Sequence, residues 1–404
     1  MLTSAFSTTF SYFIPRRPQQ GVTSLILKED QPTSPAEFRP ITVTSTILRL
    51  FHKILASRLD MIPINNAQKG FRTMDGICEN IILSKSLIKR AQKESKLLCI
   101  CLLDIKKAFD SVSHESLQRA IERKGMPQQI RKYIAQLYSQ VTTTLKNNDN
   151  QTQISFTTWV LQGDPLSGTL FNLVLDMAFA PLEDGLGLDV GPHKLNRICF
   201  AEDTILVSDS PAGLQGLIDQ ATNEFRKVGL HLNIKKCATL RFSVNPARKI
   251  SAVNLEPFIK INEFRAEDGS LILFKALTTA NFYKYLGIQL GVFGQDDSEP
   301  TVAKLTSRLE RLSTTLLRPQ QRLYALRVHL LPSFVHTLVL GKISQQLLEK
   351  MDKIVRKTVR KWLHLPGDTP NVCLHNVRDG GLSITSLATR IPRLQNQRFE
   401  KARY

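Results

Sequence analysis

Nowhere in the 404 residues does an uninterrupted apolar stretch reach the roughly 20 residues of a bilayer span, so we expect no membrane partner. Cysteine frameworks are also missing. Cys78, Cys99, Cys101, Cys199, Cys237 and Cys373 lack paired zinc-ligand spacing and lie mostly in apolar or helical context, as buried thiols of a reducing compartment do. The histidines form no cluster, no segment repeats, and the N-terminus lacks the residue order of a secretory signal. Acidic residues are scarce, 35 against 54 Lys and Arg, for a net charge of +19 and a pI near 9.8. That excess suits a polyanionic partner and favours the nucleus over the cytoplasm.

What is present is a folded-protein composition, 42% apolar and 22% charged, in a chain long enough for two or three domains. The basic excess concentrates from Thr301 to Tyr404, where 19 basic and six acidic residues give a net of +13. These charges are interspersed with Leu, Val and Ile at helical spacing, which describes a folded basic face. A helix over Leu347–Leu363 shows it best. Leu348, Met351, Ile354, Val355, Val359 and Trp362 form its apolar stripe. Lys350, Lys353, Arg356, Lys357, Arg360 and Lys361 form the opposite face, suited to backbone phosphates.

Upstream, periodicity predicts helices over Thr44–Leu59 and Ile77–Ala91, an apolar strand over Leu97–Ile105, and a helix capped by Ser113. A helix over Gln129–Gln140, strands over Val141–Leu145 and Thr152–Val160, and a helix over Leu166–Phe179 follow. Ile198–Val207 reads as strand, tight turn, strand, and Gly213–Val228 as an amphipathic helix. This order predicts an α+β domain in which helices back an antiparallel sheet. Beyond Leu286-Gly287 the pattern becomes a helical bundle.

Asp104 closes the apolar strand, and Glu202 and Asp203 occupy the later turn. Carboxylates inside apolar runs are costly unless compensated. Divalent cations would compensate them, as phosphoryl transfer to a sugar hydroxyl requires. Ordinary turn-forming roles fit the same spacing.

The motifs together resemble the reverse transcriptases of non-LTR (LINE-type) retrotransposons, closest to the clade that inserts into ribosomal RNA genes. Phe38-Arg39-Pro40-Ile41 with Arg49–Leu59 is similar to the first fingers motif, and Leu103–Val112 to the motif bearing the first metal-binding aspartate. Gln162–Ser167 with Leu170-Phe171-Asn172 resembles the nucleotide- and template-pocket motif, and Phe200-Ala201-Glu202-Asp203 the catalytic hairpin. Gly229-Leu230, Lys235-Lys236-Cys237, Tyr285-Leu286-Gly287, Pro319–Leu326 and Val359–Leu363 continue the likeness.

The resemblance implies a right-hand polymerase: partial fingers over 1–95, palm with interleaved fingers segments over 96–290, and helical basic thumb over 291–404. It implies two Mg²⁺ ions, with Mn²⁺ as a substitute, held by Asp104, Glu202 and Asp203. The partners it implies are an RNA template, a DNA primer or target, and dNTPs. Arg39 would meet the triphosphate and Phe109 the sugar, while Gln162 and Gly163 would make room for the base pair. Lys235 and Lys236 would hold primer phosphate.

Several residues depart from the pattern. Glu202 stands where the family has an aspartate, and a carboxylate displaced by about 1 Å can cost on the order of a hundredfold in rate. A catalytically impaired copy that only binds nucleic acid is therefore the alternative reading. Trp159 and Leu161 replace small and basic residues, and Gly168 replaces a usual proline. The finger and endonuclease domains of full-length relatives have no counterpart here, so a fragment or truncated copy is expected.

Overall fold

The computed structural model describes residues 21–27, 34, 38–140, 142–147, 150–155, 158, 161–182, 184–245, 250–254, 260–265, 271–278, 281–291, 298–370 and 381–401. Trp159, Cys373 and the side chain of Arg39 lie outside this description. The described residues fall into two compact units. The first gathers those up to Asn80 with Lys89–Ala276, the second Ile81–Ile88 with those from Leu277 onward.

The first unit opens with β1 (Gly21–Leu27) and β2 (Phe38–Val43), followed by α1 (Thr46–Leu59) and α2 (Gly76–Glu94), whose middle, Ile81–Ile88, belongs to the second unit. Next come β3 (Leu98–Leu103), a helical turn at Ala108–Ser111, α3 (His114–Arg123) and α4 (Gln128–Gln140). The β4 (Thr142–Asn147) and β5 (Asn150–Ser155) hairpin precedes α5 (Ser167–Phe179). Then β6 (Arg197–Phe200), β7 (Asp203–Ser208), α6 (Pro211–Lys227), β8 (Ala238–Asn245) and β9 (Ile250–Asn254) complete the principal elements.

Local chemistry explains many boundaries. Ser45, Ser113 and Ser210 accept backbone N–H bonds at the starts of α1, α3 and α6, and Pro211 occupies the first turn of α6. On α1 the buried residues are Leu48, Phe51, His52, Leu55 and Leu59. Ile47 and Ile54, apolar and at helical spacing with these residues, are instead 64% and 39% exposed. The buried stripe is narrower than the sequence pattern implies and has a histidine in it.

Two sheets result. The smaller has the order β2-β1-β4-β5, with β1 antiparallel to β2 and parallel to β4. The larger runs β9-β8-β3-β7-β6, antiparallel throughout, with Lys275–Ala276 added parallel to β8. All six residues of β3 are buried, so its apolar run is continuous rather than alternating. Leu117, Phe171, Leu214, Ile218 and Phe225 from α3, α5 and α6 join Cys101, Leu103 and Leu206 of the sheet in one core.

The second unit holds a hairpin, Tyr283–Tyr285 with Ile288–Leu290, and a set of helices. These are α7 (Ser298–Thr314), α8 (Pro319–Ala325) running through a π-turn at Leu326–Leu330 into α9 (Pro332–Leu340), then α10 (Gln345–Leu363) and α11 (Leu387–Lys401). The helical stretch Pro319–Leu340, 22 residues, is long and apolar enough to cross a membrane, an assessment that uninterrupted runs alone did not give. It contains Arg322, Arg327 and Pro332, and buries Leu326, Phe334 and Leu338 within its unit. On α10, Leu347, Leu348, Met351, Val355, Val359 and Trp362 are buried. Asp352, also buried, accepts the Leu387 and Ala388 N–H groups at 2.9 and 3.1 Å and caps α11.

Candidate active site

Asp104 follows the last residue of β3. In that strand's pairing with β7, Leu102 faces Ile205 and Leu103 faces Thr204. Asp104 lies one residue past the last pair of that ladder, near enough to Asp203 for its charge to act on that carboxyl. Burial, and after it the Asp104 charge, push the Asp203 carboxyl above the usual carboxylate range. Burial raises Asp104 as well, opposed by the Lys236 ammonium and a hydrogen bond from Asn233. The backbone of Asp104 is clasped too: its C=O accepts the Asn233 N–H at 2.8 Å, and its N–H points at Cys237 Sγ, 3.4 Å away.

Phe200 pairs with Asp203, leaving Ala201 and Glu202 as a two-residue turn. Ala201 has φ +51°, a left-handed conformation that costs a non-glycine residue roughly 1–2 kcal/mol. Gln68 holds it there. The Gln68 amide donates to the Ala201 C=O at 3.2 Å and accepts the Ala201 and Gly70 N–H groups at 2.7 and 2.9 Å. A Cβ on Gly70 would lie 2.3 Å from Ala201 N, so glycine alone permits the approach. Asn80 Nδ2 donates to the Cys199 C=O at 2.9 Å, and Asn172 Nδ2 to the Gly70 C=O at 2.7 Å.

Of the three expected carboxylates, Asp104 and Asp203 are the two whose charges are seen to interact. Among the described residues no group of three His, Cys, Asp or Glu side chains is placed to hold a metal ion. Glu202 is half-buried in the turn, beyond the last paired residue, where strand register does not fix a side chain on the Asp104 face. The pair still fits a hard cation. Mg²⁺ is commonly held by one or two carboxylates together with substrate phosphates, and two repelling, half-buried carboxylates gain from positive charge.

Gln162 and Gly163 lie against both neighbouring motifs. Gln162 Nε2 donates to Asp110 Oδ1 at 3.0 Å, and its C=O accepts the Thr42 N–H of β2 at 2.8 Å. Gly163 has φ +105°, and a Cβ there would be 2.9 Å from the Thr42 carbonyl oxygen, so both conformation and space require glycine. Phe109, on the short helical turn, stacks on Phe171 with centroids 4.4 Å apart. Arg39 pairs with Ile26 in the β1–β2 ladder. Lys235 and Lys236 are exposed on the segment entering β8.

In the second unit Lys350, Lys353, Lys357 and Lys361 are exposed on α10, while Arg356 and Arg360 are half-buried. Arg360 donates to the Thr369 C=O at 2.6 Å, so it braces the following loop and the basic face narrows to four lysines and Arg356. Gln68 and Asn80 were not anticipated, and the motif containing Asn172 gave no sign of its contact. All three are polar side chains holding distant backbone, which no local periodicity reveals.

Comparison with known proteins gives a consistent result. A family model described as reverse transcriptase (RNA-dependent DNA polymerase) matches residues 26–290. The chain is 37% identical over 390 residues to a Retrovirus-related Pol polyprotein from type-1 retrotransposable element R2 of Nasonia vitripennis, covering 96% of this chain and 37% of that protein. It is 34% identical to an R2 Pol polyprotein of Popillia japonica, covering 94% of this chain and 53% of that one. It therefore spans about a third to a half of the length of these relatives. Among solved structures, apo telomerase from Candida tropicalis aligns at 14% identity over 99% of this chain and 70% of that one, with a TM-score of 0.47.

Proposed function

We propose, for a chain that belongs to the reverse transcriptase (RNA-dependent DNA polymerase) family, that it extends a DNA 3′-hydroxyl on an RNA template as the polymerase core of an R2-like retrotransposon protein. The observation that carries this reading is the pair of half-buried carboxylates, Asp104 and Asp203, brought within electrostatic reach where a buried central strand ends. Burial, and after it the Asp104 charge, raise Asp203 there, an arrangement that serves cation binding better than folding.

Asp104 and Asp203, with Glu202 adjoining, would hold two Mg²⁺ ions, with Mn²⁺ as a substitute. Bound divalent ions would supply neutralisation of the triphosphate and a lower pKa for the attacking 3′-hydroxyl. The remaining work belongs to this chain's own residues. Phe109, backed by Phe171, meets the incoming sugar and excludes a 2′-hydroxyl by contact. Gln162 and Gly163 leave room for the template base pair, and Arg39 meets the triphosphate with its forked guanidinium. Lys235 and Lys236 hold primer phosphate. The lysines of α10 with Arg356 contact backbone phosphates without reading sequence.

Primer extension of oligo-dT on poly-rA, in Mg²⁺ and in Mn²⁺, tests this directly. Incorporation is expected, and its survival in Asp104→Ala would overturn the assigned site. Glu202 in the turn favours the second reading, a copy that only binds. If neither the original nor Glu202→Asp polymerises while both bind RNA–DNA hybrid, the binding reading replaces the first.

A further inference from the structure

Phe71 combines two costs that folding does not reward. Its φ of +53° lies in the left-handed region, uncommon for a bulky residue, and its side chain remains 51% exposed. Backbone strain without burial is the pattern found where a side chain serves function. A third cost appears at Gly168, the second residue of α5. A glycine there adds backbone freedom that folding must remove, and Gly168 has no positive φ to excuse it. What the glycine provides is space: a Cβ at 168 would lie 2.5 Å from Phe71 Cγ and 2.6 Å from its Cδ1. A proline, the residue the family resemblance places there, would carry that same Cβ.

The Phe71 ring meets Phe109 edge-on, with centroids 5.8 Å apart and planes at 86°. Phe109 is stacked on Phe171 at 4.4 Å and 19°. Two aromatic neighbours therefore bound the ring assigned to the sugar. A ring can exclude a single hydroxyl only if it cannot yield, since an unbraced aromatic side chain moves among staggered χ1 wells.

We propose that Phe71, admitted by Gly168, is a specificity-determining residue that braces Phe109 and thereby sets discrimination between deoxyribo- and ribonucleotides. The inference rests on the sugar-contact reading of Phe109 given above. Neither residue needs to touch the reacting atoms.

The test measures kcat/KM for dTTP and for UTP on poly-rA/oligo-dT. Phe71→Ala should lower the dTTP/UTP ratio by about tenfold, within the range that pocket contacts command, with kcat for dTTP within about threefold of the original. Gly168→Ala should shift the ratio the same way by evicting the ring, while Phe71→Tyr should preserve it. Thermal unfolding of each variant verifies the fold. Equal losses for both nucleotides, leaving the ratio unchanged, would show a merely structural role and overturn the proposal while polymerisation stands. A wild-type protein that adds no nucleotide, and whose hybrid complex gains no stability from dTTP, would overturn both readings.

Discussion

His52 Nδ1 lies 2.5 Å from Asp164 Oδ2, joining α1 to the turn that carries Gln162 and Gly163. The histidine side chain is 0% exposed and the aspartate 2%. His52 Nε2 lies 2.7 Å from the Tyr133 hydroxyl of α4, and Asp164 Oδ1 accepts the Leu166 N–H at 2.9 Å. Burial and the Asp164 charge hold the Tyr133 phenol far above its ordinary range. Three segments distant in sequence thus meet in one buried polar chain at the Gln162–Ser167 turn.

Removing one partner of a buried pair strands the other. His52→Leu should destabilise the first unit by about 3–5 kcal/mol, read as a drop in the urea midpoint at unchanged slope. Asp164→Asn keeps an acceptor for Leu166 and should cost less than Asp164→Ala. Equal stabilities for those two would show that the Leu166 contact contributes nothing.

The second prediction concerns pH and cations. Both Asp104 and Asp203 have folded pKa values raised above 3.8. Between 3.8 and the raised values the folded state binds more protons than the unfolded, so stability falls as pH rises through that window and stays reduced at neutral pH. Asp203→Asn should therefore melt higher than the original at neutral pH, with the gap closing at mildly acid pH. Divalent cation at 100 times its Kd should stabilise the original by about 2.7 kcal/mol and do little for Asp104→Asn. An equal cation response in both proteins would place the ions elsewhere.

The third prediction tests the clasp on the Ala201-Glu202 turn. Gln68→Leu leaves the N–H groups of Ala201 and Gly70 and the Ala201 carbonyl without their partner, at about 1–3 kcal/mol for each buried unsatisfied group. Primer extension should fall more steeply than stability, measured below the melting temperature, because Glu202 and Asp203 flank the released turn. Gln68→Glu retains both acceptor contacts and should lie between. Full activity in Gln68→Leu would show that strand pairing alone fixes the hairpin.

Local signals made much of this fold readable. Ser113 announces α3, the apolar run before Asp104 announces a buried central strand, and the α10 stripe is buried where its spacing places it except at the half-buried Ile354. Pro40 obscured β2, since proline argues against a strand until the strand proves to be an edge. The site was half legible. Asp104 and Asp203 stand out as carboxylates at strand ends, yet Gln68 acts on Ala201 133 residues away and His52 on Asp164 112 residues away. Contacts at that separation leave no periodicity. Gly168 was visible only as a departure, and it acquires meaning from the Phe71 ring that fills its empty side.

The final prediction concerns the basic face of α10. Lys353 and Lys357 are exposed, one turn apart, while Val355 and Val359 pack inward. Charge reversal at both should leave the fold intact, since neither is buried. If they contact phosphates, Lys353→Glu with Lys357→Glu should weaken unrelated RNA–DNA hybrids by similar factors, because phosphate contacts carry no sequence information. The slope of log K against log salt should fall by roughly 0.9 for each lost contact, while chemistry at bound 3′ ends is largely kept. Arg360 provides the control: tied to the Thr369 carbonyl, its replacement by alanine should cost stability more than salt-dependent affinity. A folded double mutant with unchanged affinity and salt slope would mean that these lysines only keep the surface solvated.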